Sequence, residues 1–378
     1  MDLSVLTEAI DELFTSDPSR FADGESILRL HQQLSRLDGF TTMAMAGFET
    51  SGEWARDGAR TAPAWVAARC RIPQSQARRR MRRGRALRFL PKVSEACLAG
   101  TISSAHVDEI VRMRRSATED ALARDEALLV NYAETLTFRA FTRALAYWEQ
   151  RADPTGAEDS DEARRGRRDA YLVESFDGMW LGSSTLDPIS GAIVSTELNS
   201  IESEFFNADW AVARERLGRE PTMADLERTP GQRRADALTE MAIRSRTTPV
   251  GGRRPAPLFT VLVGYETLHG RICELAQGIV VSPGALVPWL EHADIERAVF
   301  GPSPRVEISA TSRLFTGATR RGVEVRDREC TNPYCEDPEA DCEIDHIVPW
   351  IDGGQTTQEN GRVLCGYHNR LRNQKPPP

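Results

Sequence analysis

The chain has 378 residues, 40% of them hydrophobic and 28% charged, enough for packed cores and incompatible with a wholly disordered, collagen-like or membrane-embedded polypeptide. Its net charge of −8 argues against coating nucleic acid through bulk positive charge, while leaving local patches open. No apolar run reaches the roughly 20 residues that cross a bilayer. The most apolar stretch, Gly278 to Leu290, is broken by Pro283 and Pro288, and Met1 to Arg20 is acidic where a signal peptide would be basic and then apolar. A cytoplasmic protein with no membrane partner is expected.

Residues 1–152 read as helices. Ile27, Leu30, Leu34, Leu37, Ala44 and Phe48 recur at helical spacing, Phe138 to Arg151 continues the style, and Ser104, Thr118 and Thr137 stand as N-caps. Between Thr61 and Leu90 lie nine arginines and no acid. Ala77, Met81, Gly84 and Leu87 would form one narrow buried stripe there, with arginine on most other faces. A short helix from Pro63 to Arg69 and a turn through Ile72-Pro73-Gln74-Ser75 complete a helix-turn-helix-like outline. Two readings stand side by side: Arg78, Arg79, Arg82 and Arg83 contact DNA phosphates, or the helix pairs its arginines with acids of its own domain.

Asp153 to Arg168 turns polar and charged without periodicity and reads as an exposed linker. The region after it is mixed. Tyr171 to Val173 and Met179 to Leu181 flank a Phe-Asp-Gly turn, and Ala192 to Leu198 follows a second turn at Asp187-Pro188, which suggests short strands or a hairpin. Thr229-Pro230 opens a helix to about Arg244, and Leu258 to Val263 reads as a strand.

Seven cysteines without a secretion signal disfavour a disulfide framework. Cys70, Cys97 and Cys273 are scattered, but Cys330, Cys335, Cys342 and Cys365 fall within 36 residues, beside His346 and His368. The knuckles Cys330-x4-Cys335 and Cys365-x2-His368 offer four ligands for a tetrahedral Zn²⁺. A structural zinc alone has no use for Asp345 and His346 side by side on a strand, or for Asn360 and Asn369 downstream. Strand neighbours point to opposite faces, so one can hold a hard cation such as Mg²⁺ while the other, an imidazole with a pKa near about 6.5, accepts a proton from water.

These residues, RDRECTNPYC…CEIDHIVPWIDGGQTTQENGRVLCGYHNRL, resemble the HNH endonuclease motif, the ββα-metal or His-Me finger. The resemblance implies His346 as general base, Asp345 and Asn369 as ligands of a catalytic divalent cation, and Asn360 as the residue that braces the loop and orients the base. It implies Cys330, Cys335, Cys365 and His368 as a structural zinc quartet. His368 stands where a fourth cysteine is more widespread, so the alternative in which His368 serves catalysis and Cys342 completes the zinc site stays open. Arg326, Arg328, Arg370 and Arg372 flank the site, and each reads equally as a phosphate grip or as an ordinary exposed surface arginine.

The helical segment around TAPAWVAARCRIPQSQARRRMRRGRAL…GTISSAHVDEI, with the mixed region after it, is similar to the domain of unassigned chemistry that precedes HNH motifs in an actinobacterial family, including mycobacterial repeat-type proteins. The expected fold is α+β: an accessory domain over 1–315 (helical 1–152, linker 153–168, mixed 169–315) and a small zinc-stabilised ββα-metal domain over 316–378. The expected activity is metal-dependent hydrolysis of DNA phosphodiesters, with a homodimer as one route to cutting both strands. The alternative is a non-cleaving, zinc-stabilised DNA-binding or regulatory protein.

Overall fold

The computed structural model describes residues 3–247, 258–262, 273–275, 279–286, 289, 294–298 and 314–374. Its backbone contacts divide the chain into two compact units, Met1–Ala152 and Asp153–Pro378. This division does not separate the expected C-terminal domain, 316–378, from the mixed region.

The first unit is all helical: α1 (Ser4–Phe14), α2 (Gly24–Ser51), α3 (Ala62–Cys70), α4 (Gln74–Leu87), α5 (Pro91–Ala99), α6 (Ser104–Arg112), α7 (Glu119–Thr135) and α8 (Phe138–Ala152). Asp23 caps α2 by accepting the Ser26 N–H, and Thr61 caps α3, with proline in its first turn. Leu90, Val93, Ile110, Leu129, Phe141 and Leu145 are among the side chains of the main core. Ala77 and Met81 of α4 are buried with Ala62 and Val66 of α3, so the narrow stripe does face inward. Gly84 permits close contact with α2: a Cβ there would lie 2.6 Å from the Thr42 carbonyl oxygen.

The second unit opens with α9 (Pro154–Gly166), where a linker was expected. Asp153 caps this helix through the Gly156 N–H at 2.9 Å, with Pro154 in the first turn. The acids that made the segment look solvated are used: Asp161 accepts the Ser282 N–H at 2.6 Å, and Glu158 accepts the Gly284 N–H at 3.2 Å. Next, β1 (Asp169–Glu174) and β2 (Trp180–Thr185) form the expected antiparallel hairpin.

The strand expected at Ala192 to Leu198 is instead part of α10 (Pro188–Leu217). Asp187 and Pro188 are not a turn but a cap and first-turn pair, the Asp187 carboxylate accepting the Ile189 and Ser190 N–H groups at 3.1 Å each. Against α10 packs α11 (Pro230–Thr247), whose buried Arg233 reaches Glu202 at 3.3 Å and the Arg228 carbonyl at 2.7 Å.

A four-stranded sheet follows, in the order β5-β4-β3-β6, from β3 (Leu258–Leu262), β4 (Cys273–Leu275), β5 (Val280–Val281) and β6 (Asp294–Ala298), with α12 (Pro283–Leu286) after β5. Val263, His269 and His292 lie outside the described residues. The C-terminal segment comprises α13 (Gly317–Asp327), β7 (Cys342–His346), β8 (Gly361–Cys365) and α14 (Gly366–Gln374). Thus β7, β8 and α14 give the expected ββα arrangement, and the whole is an α+β protein. Among the described residues no helix is long and apolar enough to cross a membrane.

Candidate metal and nucleic-acid site

Cys342 pairs with Cys365 and His346 with Gly361 across the antiparallel β7–β8 ladder, over a small core of Phe315, Val323, Val363 and Leu364. This pairing carries Cys365, at the end of β8, to the turn that bears Cys330 and Cys335, and α14 then adds His368. One ligand atom from each of Cys330, Cys335, Cys365 and His368 lies within 4.8 Å of all the others.

With Zn–S near about 2.3 Å and Zn–N near about 2.0–2.1 Å, tetrahedral edges measure about 3.8 Å between sulfurs and about 3.6 Å from sulfur to nitrogen. In the protein, Cys335 Sγ lies 3.9 Å from Cys365 Sγ, while His368 Nδ1 lies 3.4 Å from Cys330 Sγ and 3.3 Å from Cys365 Sγ. The cluster therefore fits a zinc ion in donor chemistry and spacing. Cys342 stands outside it: its Sγ is 3.6 Å from the Asp337 carbonyl oxygen, and burial pushes its thiol well up.

On β7, Cys342, Ile344 and His346 alternate with Glu343 and Asp345. The His346 ring lies beside Phe315, centroids 4.5 Å apart, and Trp350, 6.0 Å apart, with Nε2 3.0 Å from the Thr356 hydroxyl. Asn360 lies at the end of the loop joining the two strands. Its Oδ1 accepts the Val348 N–H, and its Nδ2 donates to the Val348 and Gln355 carbonyls. Gly354 passes so close that a Cβ would meet the Val348 carbonyl oxygen at 1.9 Å. The loop is thus packed backbone against backbone around the Asn360 amide.

The opposite face of β7 meets α14. Asp345 Oδ2 accepts from Arg362 Nε and Nη2 at 3.2 Å each and from Arg372 Nη1. Asn369 Nδ2 donates to the Glu343 carboxylate. Asp345 and Asn369 offer hard oxygen donors on this face, which suits a divalent cation. Three residues on which the sequence reading placed no role, Glu343, Thr356 and Arg362, touch the motif residues directly. Arg362 was within reach of strand register alone, because it pairs with Asp345 across the ladder.

The flanking arginines divide. Arg372 also donates to the His346 and Ile347 carbonyls, so it holds the end of β7 rather than standing open to a phosphate. Arg326 donates to the Gln358 and Gly361 carbonyls, and Arg328 to Glu274 at 2.6 Å. Arg370 is exposed.

In α4 the internal-pairing reading wins for half of the named residues. Arg83 is only 4% exposed, bonded to Asp108 at 2.9 and 2.7 Å and to Asp38 at 3.1 Å, which removes it from any surface a phosphate could reach. Arg79 also binds Asp108, at 2.5 Å. Arg78 and Arg82 are exposed and make no ion pair among the described residues. His106 is half-buried against Phe138 and Phe141 and closes a capping box with Ser103, one residue ahead of the expected cap.

Residues 25–278 match the family model described as a domain of unknown function, DUF222. The chain belongs to the DUF222 family. Residues 330–375 match the model for the HNH endonuclease, so a DUF222 domain precedes an HNH domain, as both resemblances implied. An HNH domain supports a nuclease-type or DNA-binding function. Among relatives of this DUF222 chain in Mycobacterium tuberculosis, the uncharacterised protein MT1183 is 27% identical over 294 residues, 72% of this chain and 62% of its own length. The uncharacterised protein Rv3776 is 26% identical over 381 residues, covering 88% of this chain and 68% of its own. The chain thus spans less than two thirds of the first relative. No solved structure matches it significantly.

Proposed function

We propose that this DUF222–HNH protein is a metal-dependent DNA endonuclease, with its cutting centre in a C-terminal domain over 316–378. The observation that carries the reading is the division of β7: His346 on one face, buttressed by Phe315 and Thr356, and Asp345 on the other, facing α14 with Asn369.

His346, its ring held against Thr356, acts as the general base and takes the proton of a water attacking phosphorus in line. The P–O bond to the 3′ oxygen breaks, leaving a 5′-phosphate and a 3′-hydroxyl once that oxygen is protonated from solvent. Asp345 and Asn369 hold the divalent cation, Mg²⁺ or a relative. When bound, this ion supplies Lewis-acid stabilisation of charge on the phosphate. Asn360 keeps the β7–β8 loop in one conformation and so fixes where His346 stands. Zinc on Cys330, Cys335, Cys365 and His368 ties the two knuckles into one fold. Arg78, Arg82 and Arg370 remain as exposed phosphate contacts.

A plasmid-nicking assay with Mg²⁺ or Mn²⁺ tests this, using wild type and His346→Ala, both zinc-loaded and folded. Cleavage by wild type alone, with DNA binding retained in both, supports the nuclease. Binding by both with cleavage by neither, across several metals and substrates, transfers the function to a non-cleaving DNA-binding protein. Absence of salt-dependent DNA binding removes both readings.

A further inference from the structure

The carboxylate assigned to the cation is already charge-balanced. Arg362 faces Asp345 across the strand pair and meets Oδ2 through two nitrogens at 3.2 Å, and Arg372 reaches the same oxygen from α14. Oδ1 accepts no donor among the described residues. Arg372 is anchored as well by the Ile347 carbonyl at 2.7 Å and by the His346 carbonyl, so it does not leave Asp345 without breaking other bonds. Glu343, on the same face, is engaged with Asn369. Two carboxylates and two guanidiniums sum to zero formal charge on the face that is to receive a dication.

We propose that Arg362 and Arg372 are positioning residues that make capture of the catalytic cation depend on a DNA phosphodiester. This rests on the reading of Asp345 as a cation ligand. The arginines fix Asp345 by Oδ2 and present Oδ1, yet they cancel the field that would hold a dication on two carboxylates alone. A phosphodiester brings the missing negative charge and oxygen donors, so ion and DNA bind together and the protein without DNA stays largely metal-free at this site. The zinc quartet, with its thiolate and imidazole donors, is filled independently.

The test is Mn²⁺ binding to the zinc-loaded full chain, followed by the electron paramagnetic resonance of free Mn²⁺. It is run with and without a short duplex in a His346→Ala background, and binding to the duplex alone is subtracted. Weak binding without DNA, tightened about tenfold or more by DNA, is expected. Arg372→Gln should tighten DNA-free binding by about tenfold, the effect of removing one nearby charge from a dication in a water-like dielectric. Arg372→Lys should behave as wild type, and Asp345→Asn should lose the site. Should Arg372→Gln fail to retain zinc, Arg362→Gln gives the same reading, since its described bonds go only to Asp345.

A folded charge-removing variant no tighter than wild type, wild-type affinity indifferent to DNA, or no Mn²⁺ binding at all would overturn the proposal. Its failure is separable from that of the nuclease reading: a protein that nicks plasmid but binds Mn²⁺ equally with and without DNA loses only the coupling.

Discussion

Asn360 holds Val348 by both of its backbone polar groups, accepting its N–H on Oδ1 at 2.8 Å and donating from Nδ2 to its carbonyl at 3.1 Å. The Ile347 N–H meanwhile bonds the Asn360 carbonyl at 2.7 Å, so one residue closes the loop that leaves β7 directly after His346. Asn360→Ala strands several of these groups at once. A loss of about 1–3 kcal/mol in unfolding free energy is expected, together with reduced cleavage. Asn360→Asp, which sets an acceptor-only carboxylate oxygen against the Val348 and Gln355 carbonyls, should cost at least as much. Thermal unfolding beside a nicking assay checks this, and unchanged values in both would remove the bracing role.

Zinc analysis separates the quartet from its neighbour. Cys335→Ser and His368→Ala should each lower bound zinc well below one equivalent and destabilise the C-terminal segment. Cys342→Ser should retain the metal, because its sulfur faces the Asp337 carbonyl rather than the cluster. Zinc lost from Cys342→Ser but kept in His368→Ala would reverse the assignment. A strong chelator should unfold the β7–β8–α14 segment while the helices of the first unit persist, which circular dichroism can follow.

Arg83 joins α4 to Asp38 on α2 and Asp108 on α6, well out of water. Removing it leaves buried Asp108 to Arg79 alone and Asp38 to Arg80 alone, so Arg83→Ala should cost about 1–3 kcal/mol. Arg82→Ala should leave stability within about 0.5 kcal/mol. If α4 meets DNA, that exposed substitution should weaken binding and reduce the salt slope by about one. Equal destabilisation by the two substitutions would contradict the burial that distinguishes them.

The first unit also has a defined response to acid. Burial opposes ionisation of Asp108, but the Arg83 and Arg79 guanidiniums prevail and hold its carboxyl below the usual carboxylate range. Burial pushes the His106 imidazole down. Both folded-state values are depressed, so both groups bind protons more readily in the unfolded chain, and both contribute stability that is lost as pH falls. Unfolding temperature should therefore drop first below about pH 6.5, through His106, and again below about pH 4, through Asp108. His106→Gln, which retains an N3 side chain suited to the capping box, should flatten the upper limb, and Asp108→Asn the lower. A profile with neither limb altered would assign the acid sensitivity elsewhere.

What could be read in advance depended on how far apart the interacting residues lie in sequence. The spacing of Cys330, Cys335, Cys365 and His368 announced a metal cluster because ligand chemistry constrains spacing locally within each knuckle. Helices with regular apolar stripes, such as α2 and α8, were legible for the same reason. By contrast, the partners of Arg83 lie 45 and 25 residues away, and those of Glu158 and Asp161 more than 120, so their charges looked like solvated surface. The β-branched run at Ala192 to Leu198 resembled a strand until the Asp187 cap and packing against α11 decided for helix. The pairing of Arg362 and Arg372 with Asp345 lay equally out of sight, since it needs both a ladder register and a helix laid across it.

The four residues of the proposed zinc site come from both sides of a 30-residue separation between Cys335 and Cys365, with β7, the loop and β8 between them. Neither knuckle alone offers more than two donors, so the ion can be held fully only by a chain whose hairpin has already closed. Metal stoichiometry is then a census of completed C-terminal folds: in a mixed preparation, the fraction of molecules carrying zinc should count those whose β7–β8 ladder and following helix have formed.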